Sequence, residues 1–249
     1  MHGSITPIIL TYNEEANIRR TLSALAWAED VLVVDSFSQD ATLPLCKSFA
    51  NVRIVQRKFD SFAGQCNFAL TQDIQTEWVL SMDADYVLSC GLVTELARLS
   101  PPVGTNGYRI AFDYMVDGVK LRGSLYPPRI ALYRKHFARY RQDGHAHRVL
   151  VDGKIGNLDA RIQHDDRKTY QRWLGSQKNY AVQEATKLKE IPWARLSIPD
   201  KIRKLGIAPL LIIPYTMLFR GLILDGTPGW KYCGQRFIAE LYLQIARLK

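Results

Sequence analysis

The chain has 249 residues, 47% of them hydrophobic and 23% charged, values of a folded soluble protein with room for one large domain or a domain plus a substantial appendage. Its four cysteines, Cys46, Cys66, Cys90 and Cys233, form no C-x-x-C pair and no disulfide framework, so reduced thiols in a cytosolic chain are expected. The net charge of +9 is uneven: residues 1–100 carry 7 Lys/Arg against 12 Asp/Glu and residues 101–249 carry 26 against 12, which points the second part toward an anionic partner such as a phosphorylated substrate, a membrane surface or a nucleic acid.

The N-terminal MHGSITPIILTYNEE has no basic leader region, so no secretory signal is expected there. PIIL (7–10) is a short apolar run, followed by the polar turn TYNEE and by Ile18, Leu22 and Leu25 at helical spacing. DVLVVDS (30–36), VRIVQR (52–57) and EWVLSMD (77–83) repeat the strand signal. Helices are expected near 40–50, over FAGQCNFAL, and from a Ser89 cap to Leu99. These strands are nearly continuous apolar runs, as a parallel sheet buried on both faces requires, so the fold class is α/β with a mostly parallel sheet and helices on both faces. PPVGTNG (101–107) marks a boundary. Beyond it, Val116-Asp117-Gly118 reads as a hairpin turn, IALYR (130–134) as a strand and 166–190 as a helix with Trp173, Gln177, Tyr180 and Glu184 on one stripe. The most apolar stretch, 205–224, approaches spanning length but contains Pro209, Pro214 and Arg220. It is expected either to lie on a membrane surface behind Lys201, Arg203 and Lys204 or to pack on the domain. The organisation expected is 1–100, 101–165 and a basic, helical, membrane-associating 166–249.

Three expected strands end in polar clusters: TYNEE (11–15), DSFSQD (35–40) and DAD (83–85). Ligands of open parallel sheets bind beyond the carboxyl ends of the strands. Acids gathered there repel a phosphate unless a cation intervenes, and Mg²⁺ or Mn²⁺ commonly uses one or two carboxylates plus phosphate oxygens. On an extended backbone Asp83 and Asp85 would share a face about 7 Å apart, so one would hold the metal and the other a ribose hydroxyl or a metal water.

Taken together, TYNEE, VVDSFSQDAT, FAGQCNFAL and SMDAD resemble the inverting family 2 glycosyltransferases of the Rossmann-like GT-A fold, in the branch that builds lipopolysaccharide core, exopolysaccharide or lipid-linked glycans. The resemblance covers residues 5–100 and continues loosely through QKNYAVQEA and LILDGTPGW. It implies that Thr11, Tyr12, Asn13 and Glu14 surround the nucleotide and that Asp35 accepts a hydrogen bond from a uracil ring. It further implies that Gln65 and Asn67 lie near the nucleotide or donor sugar, that Asp83 is the ribose-side acid and that Asp85 binds the metal. The implied partners are a nucleotide-sugar donor, a UDP-sugar by this reading, a lipopolysaccharide-type or lipid-linked acceptor, and an anionic membrane touched peripherally at the inner face of the bacterial cytoplasmic membrane; no nucleic acid is expected.

Inverting transfer needs a general base for the acceptor hydroxyl. Where relatives often place a His-Glu pair, this chain has RYRQDGHAHRVLVDG (139–153) without the glutamate, so Asp143, His145 and His147 are candidates. HDDRK (164–168) adds Asp165 and Asp166, with Arg167 and Lys168 suited to an acceptor phosphate or the donor diphosphate. His164 and Asp165 alone lack a further ligand for a metal site. A sugar nucleotidyltransferase would open with a Gly-rich basic loop, and P-loop and dinucleotide signatures are absent. A basic membrane- or nucleic-acid-binding module without catalysis is the alternative from another class.

Overall fold

The computed structural model describes residues 2–143 and 146–248, with the side chains of all but His2, Ala146 and His147. The first unit comprises residues 1–113, 126–142 and 147–167. In it, β1 (Ile5–Thr11), β2 (Val31–Asp35), β3 (Val52–Gln56) and β4 (Trp78–Asp83) alternate with α1 (Ile18–Ser23), α2 (Thr42–Lys47) and α3 (Phe62–Leu70). After β4 come a short β5 (Tyr86–Leu88) and α4 (Cys90–Arg98), which Ser89 caps by accepting from the Leu92 amide. The later strands are β6 (Thr105–Val116), β7 (Val119–Lys120), β8 (Arg129–Arg134), β9 (Ala138–Asp143), β10 (Ala146–Val151) and β11 (Lys154–His164).

The main sheet runs β3-β2-β1-β4-β8-β6-β11-β5, with β7 beside β6; β9 and β10 pair separately. Its first four strands are parallel, as their apolar runs predict, and β8, β6 and the β11–β5 pair continue it antiparallel. Side chains alternate across a strand. Thus Ile5 and Ile9 of β1 join Val31, Val33, Leu80 and Met82 in a core beneath α1, α2 and α4, while Ile8 joins Leu32, Val34 and Val79 in a second core beneath α3. Two cores, one per face, explain why the strand sequences are apolar without a break.

The second unit comprises residues 114–125, 143–146 and 168–249. Asp117 and Gly118 both have positive φ, 53° and 79°, the backbone of a tight hairpin turn between β6 and β7. The helices are α5 (Tyr170–Glu190), α6 (Ile198–Lys204), α7 (Ala208–Pro214) and α8 (Gly226–Arg247), with Thr169 capping α5 and Ser197 capping α6. Along α5 the buried line is Ala181, Glu184, Ala185 and Leu188, which meets Leu243 of α8. The apolar stretch 205–224 is no continuous helix: α7 ends at Pro214, Tyr215–Phe219 is a π-turn, Gly221 takes φ 72° and Leu222–Asp225 is a 3₁₀ turn. No single described helix is long and apolar enough to cross a membrane; Ala208–Phe219 and Leu222–Arg247 pass that test only as a pair bent by 71°.

Ile9 is fully buried at the centre of the first core. Ile9→Ala is expected to lower the free energy of unfolding by about 2–5 kcal/mol through lost burial and a residual cavity, read from urea denaturation.

Candidate functional site

Strand pairing sets the three polar clusters side by side. Thr11 of β1 is in register with Asp35 of β2, and Leu10 with Asp83 of β4, so TYNEE, DSFSQD and DAD leave the same edge of the sheet on adjacent strands.

The loops after β1 and β2 are laced together. The Asn13 amide donates to Ser38 Oγ at 2.8 Å, and Asn13 Oδ1 accepts from the Gln39 amide at 2.7 Å. Glu14 N donates to Thr42 Oγ1, Glu15 N donates to Asp40, and Glu15 returns the contact by accepting from Ala41 N. Asn13 and Phe37 both take positive φ, 54° and 62°, a strained backbone of the kind that collects at functional loops. Tyr12 projects from this edge and is half-exposed.

Asp35 is fully buried. One carboxylate oxygen accepts from Thr11 Oγ1 at 3.1 Å and from Ser38 Oγ; the other accepts from the Ser38 amide and from Gln56 Nε2, each at 3.0 Å. A carboxylate offers about four acceptor positions, so protein donors already fill Asp35. Asp35, expected from the resemblance to accept from a uracil ring, thus already accepts four hydrogen bonds from Thr11, Ser38 and Gln56. Burial first, and then the charges of Asp35 and Asp40, push the nearby Cys46 thiol up to about 12.

Gln65 is buried and spans the next loop, donating to Ser36 Oγ and the Arg57 carbonyl while accepting from Arg57 Nη1. Asn67 exchanges two hydrogen bonds with the Tyr140 backbone, so this amide docks α3 on β9 rather than pointing to a nucleotide.

The acids of DAD part company. Asp83 ends β4 half-buried, but Ala84 and Asp85 form a turn, so the extended geometry expected of the pair does not hold. The Ala84 carbonyl accepts from Thr21 Oγ1 at 2.6 Å. Asp85 is buried, and the β5–β11 pairing sets Tyr86 opposite His164. Asp85 Oδ2 thereby lies 3.3 Å from His164 Nε2. The two residues are 79 apart in sequence and meet only through that pairing. Among the described residues no group of three or more His, Cys, Asp or Glu is arranged for a metal. Two ligands in neighbouring octahedral positions about 2.1 Å from an ion lie about 3 Å apart, a spacing the Asp85–His164 pair fits.

An aromatic nest backs the pair. The His164 ring is 4.6 Å from Tyr126 and 5.4 Å from Tyr86, whose hydroxyls are hydrogen-bonded to each other. Arg129, at the start of β8, lies over Tyr126 at 4.6 Å. Burial would lower the pKa of this guanidinium, but Tyr86, Tyr126, Asp83 and Asp85 outweigh that and raise it. Arg129 therefore feels the charges of Asp83 and Asp85 without an ion pair to either among the described residues, a proximity its position after Pro127-Pro128 does not advertise in sequence.

Next to it, HDDRK is clamped to α1. Arg20 Nη1 reaches Asp165 Oδ2 at 2.6 Å and its Nη2 reaches the Asp165 carbonyl; Arg167 grips the same carboxylate through Nε and Nη2. Asn17, buried, donates to Glu14 and Asp166 and accepts from Arg20 and the Arg167 amide. Both oxygens of Asp165 are taken up by guanidinium donors, which makes it a structural anchor. Asp143, in the second unit, is 3.1 Å from Lys187 Nζ. His145 lies outside the described residues, and of His147 only the backbone, in β10, is described.

Residues 6–100 match the model of the family described as Glycosyl transferase family 2. The chain is 29% identical over 166 residues to the lipopolysaccharide core biosynthesis glycosyltransferase LpsC of Rhizobium meliloti (strain 1021), which covers 61% of this chain and 59% of LpsC. It is 30% identical over 145 residues to a glycosyltransferase of Rickettsia bellii (strain RML369-C), covering 55% of this chain and 48% of that protein. The chain thus spans about half to three-fifths of the length of these curated relatives. In fold it is similar to S. aureus TarS 1–349 in complex with UDP, with a TM-score of 0.53 at 15% identity over 98% of this chain and 90% of that one. It is also similar to Mycobacterium tuberculosis glucosyl-3-phosphoglycerate synthase in complex with phosphoglyceric acid, with a TM-score of 0.50 at 14% identity over 73% and 79%.

Two outcomes follow from the geometry. Asn17→Ala leaves four partners unmatched at one buried point and is expected to cost about 1–3 kcal/mol of stability, read from urea midpoints. At about pH 8 the folded protein is expected to take up iodoacetamide at the exposed Cys90 while the buried Cys46, Cys66 and Cys233 react only after unfolding, as counted by mass spectrometry. Because folded Cys46 holds its proton to higher pH than an unfolded thiol, its contribution to stability is intact below the ordinary thiol range and is lost as pH rises toward 12.

Proposed function

We propose, for a chain that carries a family 2 glycosyl transferase domain over residues 6–100, that the sheet edge binds a nucleoside diphosphate sugar through a divalent ion and delivers the sugar, with inversion, to a glycan hydroxyl. The observation that carries this reading is the approach of Asp85 Oδ2 to His164 Nε2 at 3.3 Å beside the end of β4. A lone D-x-D turn is a common acidic loop. An acid–imidazole pair at ion-sharing distance, flanked by Asp83 and Arg129, is suited to a diphosphate. When bound, the ion would stabilise charge on the departing diphosphate as a Lewis acid.

The chain's own residues divide the remaining work. Thr11, Tyr12, Asn13 and Glu14 border the nucleoside, with Tyr12 offering an exposed ring for stacking. Asp35 holds Ser38 and Gln56 in place, and these meet the base first. Uridine is the base proposed because TarS, of the same fold, was crystallised with UDP. Asp83 faces the ribose. The acceptor oxygen attacks the anomeric carbon, the bond to the diphosphate oxygen breaks with its electron pair, and the acceptor proton passes to a base. With Asp165 clamped by two arginines and Asp143 paired to Lys187, the base is sought at Asp166, His145 and His147.

Similarity to LpsC supports an acceptor of the lipopolysaccharide-core type; a lipid-linked acceptor and work at the inner face of a bacterial cytoplasmic membrane are part of the same proposal. The basic surplus of residues 101–249 supports the same placement, since lipid phosphates are anionic.

The test is a thermal-shift series with UDP and UDP-sugars, with and without Mn²⁺, on the parent and on Asp85→Ala and His164→Ala. Metal-dependent stabilisation by uridine nucleotides is expected for the parent and its loss in both variants, with transfer reduced about a hundredfold or more. Stabilisation that ignores metal, or survives in both variants, would sink the metal-bridged reading. For the base, one of Asp166→Asn, His145→Ala and His147→Ala is expected to lower kcat by about 10²–10⁴ with nucleotide binding intact.

A further inference from the structure

The second unit exposes more apolar surface than its own core explains. Between residues 208 and 224, Ala208, Pro209, Thr216, Met217 and Leu222 turn inward, and Met217 and Leu222 pack with Val116, Leu121, Tyr232 and Cys233. The residues between them turn outward: Leu210 is 74% exposed, Leu218 64%, Phe219 81% and Leu224 69%. Ile223 and Trp230, which follow in the chain, are exposed as well. Contiguous apolar surface of this kind marks a contact with a partner or a membrane.

Charge selects between these. Residues 168–249 hold 14 Lys/Arg against 5 Asp/Glu. Arg220 lies exposed within the ridge, its guanidinium 5.5 Å from the Tyr215 ring centroid, and Lys201 and Lys204 precede it on α6. Against a second copy, a two-fold contact would press these cations on one another. Against an anionic bilayer they meet phosphate, while leucine, isoleucine and phenylalanine enter the acyl region and Tyr215 and Trp230 suit the headgroup level.

Length decides the mode. α7 and the π-turn are 7 and 5 residues, about 18 Å at helical rise, well short of the roughly 30 Å hydrocarbon core. The chain then bends by 71°, and the far part of α8 is committed to the protein, where Glu240 is bound by Arg203 and Leu243 meets α5. We infer that residues 207–230 form an in-plane anchor that seats its apolar ridge in one leaflet of an anionic bilayer without crossing it. This deepens the membrane placement proposed above and rests on that part of it alone.

The test uses the full chain and flotation with vesicles of phosphatidylcholine, alone or mixed with phosphatidylglycerol. Binding to the anionic vesicles is expected, weaker with added salt, and reduced about tenfold or more in L218E/F219E. Both side chains point outward, so unchanged thermal unfolding and UDP binding serve as the folding control. Bromine-labelled lipids quench Trp230, by difference with W230F, and bromines near the headgroup are expected to quench more than those at the bilayer centre. No binding to anionic vesicles at low salt, equal binding by L218E/F219E, or stronger quenching from the bilayer centre overturns the anchor. Vesicle binding without sugar transfer upholds the anchor and rejects the transferase reading; transfer to a soluble acceptor without vesicle binding does the reverse.

Discussion

Carboxylates delivered to the ends of neighbouring strands repel one another, and the first unit holds them together by bringing cations from distant parts of the chain. Arg129 comes from β8 to Asp83 and Asp85, and Arg20 from α1 with Arg167 from beyond β11 to Asp165. Removing both arginines would leave the buried Asp165 carboxylate without its cations. The edge is therefore fixed before any ligand arrives, which is what a charged substrate needs from a site that must not rearrange around it. His164 stands apart from these guanidiniums. Its Nε2 lies 3.3 Å from Asp85 Oδ2, and an imidazole, unlike a guanidinium, is a group that can ligate a metal.

Asp35 shows the other way of settling a buried acid. No guanidinium approaches it; four hydrogen bonds from Thr11, Ser38 and Gln56 do the work. Those donors belong to β1, the loop after β2, and β3, so the anion ties three strands and shapes the loop after β2. Its role in the fold is architectural, and under the proposed function a nucleobase N–H would replace one of these donors.

The first hundred residues were legible because the strands are apolar runs, three of them closed by a polar cluster, and two of the helices have a mechanical start, Ser61 capping α3 and Ser89 capping α4. Beyond them the pattern fades. β11, KIGNLDARIQH, mixes glycine, asparagine and charge along a strand whose sides alternate between core and solvent, so neither its length nor its partner β5 stands out. The site inherits that blindness. Asp85 was visible as an acid after a strand, but His164 is its neighbour only through the β5–β11 pairing, and Asn17 looks like any helix-start asparagine until four partners converge on it. Asn67 has a role the sequence did not display, holding its helix to β9 through the Tyr140 backbone. For residues 205–224 the sequence left two alternatives, a membrane surface or packing on the domain, because their composition suits both; the structure packs Met217 and Leu222 in a core and leaves Leu218 and Phe219 exposed.

That last contrast ties the two units together as physics. A strand in the parallel sheet is apolar on both sides because helices cover both sides, and Ile8 and Ile9 go to different cores. The segment 208–224 is also apolar on both sides, but Pro209, Pro214 and Gly221 break it into turns too short to bury themselves, and the unit covers one side only. The prolines and the glycine keep each piece short, so the segment belongs to a folded, hydrogen-bonded unit while one side stays exposed, and that exposed side is the surface on which the proposed anchor rests.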